Sequence, residues 1–130
     1  MRRAPRRNGP PTTRCSAPKT WSTGGRSGTC AWTRSSFWAP ELFHRNGKTY
    51  AYYTARRKTD GTSYIGVATA DKPEGPYTDH GPIVEYGTEA IDAFVLEDAG
   101  ELYISWKAYR LDPRPIELLA CKISDDGLRM

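Results

Sequence analysis

The sequence predicts an all-β chain, about two four-stranded β-propeller blades behind a basic, disordered N-terminal tail. Three observations carry this. Residues 91–109 read IDAFVLEDAGELYISWKAY, two strand-like runs joined by a short turn with glycine, the pattern of a β-hairpin. Residues 38–55 read WAPELFHRNGKTYAYYTA, the same pattern 53 positions earlier. No segment carries the i, i+3, i+4 apolar spacing of a helix.

The repeat extends past the hairpins. At the 53-residue shift Gly47 falls on Gly100, Tyr50 on Tyr103, Tyr53 on Trp106 and Ala55 on Ala108. A third strand follows in each copy, with Ile65 on Leu118 and Val67 on Ala120. The polar turns Asp71-Lys72-Pro73 and Ser124-Asp125-Asp126 then coincide. A unit of about 50 residues made of short strands is the size of one propeller blade.

Residues 1–36 are unlike the rest. They hold eight Lys/Arg, no Asp or Glu, and no Leu, Ile, Val, Phe or Tyr. Such a stretch buries too little apolar surface to offset the entropy of ordering it, so it is expected to be disordered. The abrupt change to strand patterning at Phe37 also fits a stretch that is out of frame or not native. A nucleic-acid-binding tail is the competing reading, but the tail lacks helical periodicity and aromatic residues interleaved on strands. Residues 37–130 hold eleven Lys/Arg and all fifteen acids, so the net +4 combines +8 in the tail with −4 in the rest. The high pI therefore describes the tail, and neither a nucleic-acid nor a membrane partner is expected.

In order, strands are expected at 39–45 and 48–56, with 44–47 as the turn, then a turn at 56–61 ending in Asp60-Gly61. A third strand covers 62–70, a loop with two prolines covers 71–77, and a fourth strand covers 78–85. The second unit supplies strands one to three, with 97–100 as its hairpin turn and 107–114 as a loop.

No apolar run reaches the roughly 18 residues needed to span a bilayer, and none follows the basic start as a secretory signal requires. Cys15, Cys30 and Cys121 lack zinc-site spacing, His44 and His80 have no second ligand nearby, and no metal or cofactor is expected. Cys121 reads as a small buried hydrophobe in a strand.

The combination Trp38-Ala39-Pro40-Glu41, NGKTYAYYTA, Ile65-Gly66-Val67-Ala68-Thr69-Ala70-Asp71, Glu74-Gly75-Pro76-Tyr77 and Ile91-Asp92 before a strand resembles glycoside hydrolase family 43. The resemblance covers roughly residues 37–130. It implies a five-bladed β-propeller with its sugar site at one end of the central channel, often in a secreted protein. It also implies hydrolysis of O-glycosyl bonds in arabinose- or xylose-containing plant polysaccharides or oligosaccharides, with inversion. Such chemistry needs a base that activates water and an acid that protonates the leaving oxygen, about 6.5–9.5 Å apart across the sugar. The family adds a third carboxylate that raises the pKa of the acid and orients it. The resemblance assigns that third role to Asp92, which by position alone also reads as a cap at a strand start. It places Trp38 near the same mouth, where an indole can stack on a sugar.

The family's base lies ahead of the Trp-Ala-Pro-Glu motif, where this chain has no acid, and its acid lies beyond the second blade. The expectation is a partial propeller carrying one catalytic carboxylate of three, and inactive alone. Ala93 stands where many relatives have proline. The alternative is a non-catalytic carbohydrate-binding piece that keeps Trp38 and Asp92. Glu41 is expected to be a structural partner, while Glu74, Glu97, Asp98, Asp125 and Asp126 are expected to be solvated in turns.

Overall fold

In the computed structural model, residues 21–22, 34–109 and 116–130 are described. The strands are β1 (Trp21–Ser22), β2 (Arg34–Arg45), β3 (Lys48–Arg57), β4 (Ser63–Ala70), β5 (Tyr77–Val84), β6 (Glu89–Asp98), β7 (Glu101–Tyr109) and β8 (Glu117–Ile123). No helix occurs among the described residues.

Two antiparallel blades account for seven of these strands. The first runs β2-β3-β4-β5 and the second β6-β7-β8, each strand hydrogen-bonded to the next in sequence. The blades meet through one parallel bridge, Ser63 with Glu89, beside the Ser63 N–H bond to the Thr88 carbonyl at 3.0 Å. The predicted blade strands are therefore present, with changes at their ends.

β2 begins at Arg34, inside the stretch expected to be irregular, because β3 runs on to Arg57 and offers it ladder partners: Arg34 pairs with Arg57 and Ser36 with Arg56. Trp21–Ser22 also forms a strand, parallel to β5. The rest of the expected disordered tail, including Cys15 and Cys30, lies outside the described residues. Arg56 and Arg57, expected in a turn, are the last residues of β3. Lys107 to Tyr109, expected in a loop, belong to β7, and the remainder of that loop lies outside the described residues.

Both hairpin turns are tighter than expected. Asn46 and Gly47 have φ of 51° and 72°, and Ala99 and Gly100 have 49° and 82°. Positive φ at both central residues is the primed two-residue turn whose twist matches paired strands. His44, Arg45, Glu97 and Asp98 are thereby released to the strands.

The 53-residue repeat is structural down to its irregularities. The β2–β3 register slips between Trp38 and Glu41, and the β6–β7 register slips between Ile91 and Phe94. Each slip is a bulge with a left-handed residue, Ala39 at φ 48° and Asp92 at φ 54°.

The faces follow the same repeat. Tyr52, Ile65 and Val67 of the first blade pack against Leu102, Ile104 and Trp106 of the second. A second cluster, with Ala51, Tyr53 and Ala55, lies on the first blade's opposite face. The equivalent of Tyr52 in the second blade is Ser105, on a face where Phe94 is 52% and Leu118 81% exposed. Here alternate residues of β7 are buried and half-buried, so the second blade covers one side of its sheet.

At the hairpin-turn end of the blades Arg45 spans the two units. Its guanidinium donates to the carbonyls of Asp125 (2.6 Å) and Gly100 (3.2 Å), and its Nε lies 3.3 Å from Glu97 Oε2. Tyr52 donates its buried hydroxyl to the Gly127 carbonyl at 2.9 Å, and burial pushes that phenol well above the usual tyrosine pKa. Within the first blade the Tyr53 ring lies on Gly66, where an added Cβ would come within 2.3 Å of Tyr53 Cζ. The ring cannot easily retreat, because its hydroxyl is tied to Asp79 Oδ1 at 2.6 Å.

Two substitutions check this packing by urea denaturation. Gly66→Ala is expected to lower stability by about 1–3 kcal/mol through overpacking. Arg45→Ala is expected to cost about 1–3 kcal/mol by leaving two carbonyls without their charged donor. An unchanged midpoint for Arg45→Ala would show that the two blades are not joined through this side chain.

Candidate functional site

The site is built around Thr54, on β3 of the first blade. Trp38 is its cross-strand partner, one residue before the Ala39 bulge. Thr54 is fully buried, and its Oγ1 accepts the backbone N–H of Asp92 from the second blade at 3.2 Å. The bulge takes Asp92 out of the β6–β7 register, so its N–H needs a partner other than the regular ladder. Thr54 thus links the two predicted site residues, one to each side of it.

Asp92 does not open its strand as expected; it is the fourth residue of β6. Its side chain is 41% exposed, and Oδ2 lies 2.7 Å from Lys107 Nζ. That hydrogen bond first, and then the carboxylate charge, push the Lys107 ammonium above its ordinary pKa.

A second ion pair lies beside the first. Arg56, two residues beyond Thr54, reaches across the blades to Glu89, three residues before Asp92. The Arg56 guanidinium carbon sits 5.7 Å from the centroid of the half-buried Trp38 ring, a cation–π distance. Arg56 also donates through Nε to Ser63 Oγ at 3.2 Å. Arg57 pairs with both Asp60 and Glu85. The end of the blades opposite the hairpin turns therefore presents a half-exposed carboxylate and an indole, set among cations that each hold an acid.

The other acids lie elsewhere or are engaged. Glu41 sits within β2 opposite Tyr52, past the bulge. Glu97 and Asp126 are exposed, as expected, and each also pairs with an arginine, Glu97 with Arg45 and Asp126 with Arg129 at 3.0 Å. Among the described residues no group of three or more His, Cys, Asp or Glu side chains could hold a metal ion. Cys121 is half-buried in β8, and burial raises its thiol pKa.

Sequence reasoning missed Thr54, Arg56 and Glu89, and read Lys107 as part of a loop that could border the site rather than as a residue of β7. One signal was available. Thr54 and Lys107 are equivalent under the 53-residue shift, as are Ala39 and Asp92.

Because its folded-state pKa is raised, Lys107 contributes stability that is present at neutral pH and lost as pH rises through that folded value. Asp92→Asn is expected to bring the Lys107 pKa down toward about 10.4, the ordinary lysine value. A side-chain NMR titration checks this; an unmoved lysine would mean that the ion pair does not form in solution.

Comparisons with known proteins agree on one family. The sequence profile described as Glycosyl hydrolases family 43 matches residues 16–130. Xylosidase/arabinosidase 43A of Humicola insolens is 44% identical over 75 residues, covering 56% of this chain and 22% of that protein. A probable arabinan endo-1,5-alpha-L-arabinosidase C of Aspergillus clavatus is 31% identical over 105 residues, covering 75% of this chain and 30% of that protein. Among solved structures, a thermostable family-43 glycoside hydrolase superposes with a TM-score of 0.67 at 29% identity, covering 77% of this chain and 34% of that one. A GH43_1 enzyme from Xanthomonas citri complexed with xylotriose superposes with a TM-score of 0.59 at 31% identity, covering 75% and 35%. The chain thus spans between about a fifth and a third of the length of these proteins.

Proposed function

Because the chain belongs to glycosyl hydrolase family 43, we propose that it forms part of a glycosidase acting on arabinose- or xylose-containing glycans, with Asp92 a carboxylate of the sugar site and Trp38 a stacking surface. Residues 37–130 are the propeller portion in this reading. The observation that carries it is the conformation of Asp92. A left-handed, non-glycine residue in a bulge is unfavourable, and the neighbouring blade holds it there while its carboxylate stays half-exposed. The names of the relatives, a xylosidase/arabinosidase and an arabinan endo-arabinosidase, supply the substrate class.

In an inverting reaction Asp92 would act on the acid as a neighbouring charge and as an orienting acceptor. Lys107 offsets part of that charge, which favours the orienting part. The 130 residues by themselves have a specific obstacle to turnover. Among the described acids on these strand ends Asp60, Glu85 and Glu89 are each bound to an arginine, and no acid precedes Glu41 in the sequence. Without a base and an acid, each proton transfer forgoes about 10²–10⁴ in rate. This supports the second reading, sugar binding without chemistry, for the chain taken alone.

Calorimetric titration with xylotriose and arabinotriose, alongside turnover of aryl xylosides and arabinosides, tests both. The chain is expected to bind one of the trisaccharides and to turn over neither aryl glycoside. Trp38→Ala is expected to weaken binding roughly two- to tenfold, the range for a lost aromatic contact. No binding of either sugar would sink the proposal. Turnover that Asp92→Asn abolishes would show that a second carboxylate is catalytic, and Glu41 would be the first to substitute.

A further inference from the structure

We infer that Lys107 is a positioning residue for Asp92: by holding Oδ2 it fixes the side-chain rotamer and leaves Oδ1 as the oxygen offered to a sugar. The inference rests on the proposed role of Asp92. Two grips act on this residue, and they control different bonds. Thr54 holds the backbone N–H and so fixes the bulge, but a hydrogen bond at the amide leaves rotation about χ1 free. The carboxylate is 41% exposed, and burial alone does not select one rotamer for it. The Lys107 ammonium at 2.7 Å supplies the missing restraint.

Lys107 is suited to this by its place in the sheet. β7 is the middle strand of its blade, and Lys107 is paired with Ile91 on one side and Leu118 on the other. Its Cα is therefore fixed by ladders on both edges, and only its side chain is adjustable. Thr54 has the equivalent position in the first blade, also in register with two strands, through Trp38 and Ile65. The repeat thus brings the same position from two successive blades onto one residue: the earlier blade grips the backbone and the later one grips the carboxylate. The Ala39 bulge carries no such carboxylate.

The pair is half-exposed on both sides, 37% for Lys107 and 41% for Asp92. Exposed pairs add little to stability, so substitutions at Lys107 are expected to leave the fold intact and expose the positioning role.

The experiment uses the 130-residue chain as wild type, Lys107→Met, Lys107→Arg, Asp92→Asn and the double variant. Near-UV circular dichroism confirms that each retains its packing. Three-bond NMR couplings across χ1 of Asp92 are read without any sugar. A single rotamer is expected in wild type and Lys107→Arg, and averaging in Lys107→Met. Titration with xylotriose and arabinotriose is then expected to show Lys107→Met about tenfold weaker, the scale of one charge-assisted hydrogen bond. Lys107→Arg should stay near wild type. Asp92→Asn and the double variant should be equally weak, because the two residues act as one unit. A single Asp92 rotamer preserved in Lys107→Met overturns the inference, whether or not a sugar binds. So does wild-type affinity in Lys107→Met when Asp92→Asn is weakened. A wild type that binds neither trisaccharide removes the proposed function instead, while the couplings still report on Lys107.

Discussion

The hydrogen bond from the Asp92 N–H to Thr54 Oγ1 sets the geometry of the whole strand end. It joins the first strand of one blade to the second strand of the other, at a point where a bulge has removed Asp92 from its own register. Its own ladder no longer offers this donor a partner, and it finds one on the other blade. That bond favours one height of the two blades relative to each other. With that height fixed, Arg56 reaches Glu89 and Ser63 bridges to Glu89. Trp38, locked in register with Thr54, is carried to the same end.

The opposite end is held by different means. There Arg45 replaces a ladder altogether, bonding to two carbonyls of the second blade, while Tyr52 closes on Gly127. Between the two ends the contact is apolar, with tyrosine and β-branched residues of the first blade against leucine, isoleucine and tryptophan of the second. Apolar packing is non-directional and tolerates sliding; the polar bonds at each end select one alignment. This division suits a site assembled from neighbouring blades, since a small slip between them would separate Trp38 from Asp92.

Charge is arranged in local pairs rather than as a field. Arg56, Arg57, Arg45 and Lys107 each hold an acid at one of the blade ends. The described acids are thus largely spoken for, and Asp92 keeps one oxygen outside its ion pair. The glycosidase family to which the chain belongs needs carboxylates in different states at one site. Pairing is one way to hold a carboxylate ionised while a neighbour is left to carry a proton.

The sequence alone determined the all-β class, the blade repeat and most strand positions, because period-two patterning and Gly-containing turns are local signals. It also determined where Asp92 and Trp38 lie in their repeats. Sequence reading put His44, Glu97, Arg56 and Lys107 in turns or loops, since polar residues at strand ends read as connections when their partners are not visible. Only the tertiary structure decided that Ala39 and Asp92 are left-handed bulges, which depends on two strands falling out of step. Only it brought Thr54, Arg56 and Lys107 to one strand end. Their partners lie 38, 33 and 15 positions away, and the same residue types occur elsewhere in the chain without such roles. A side chain's function here is set by what the neighbouring blade places against it, and that information resides in the packing of one blade on the next.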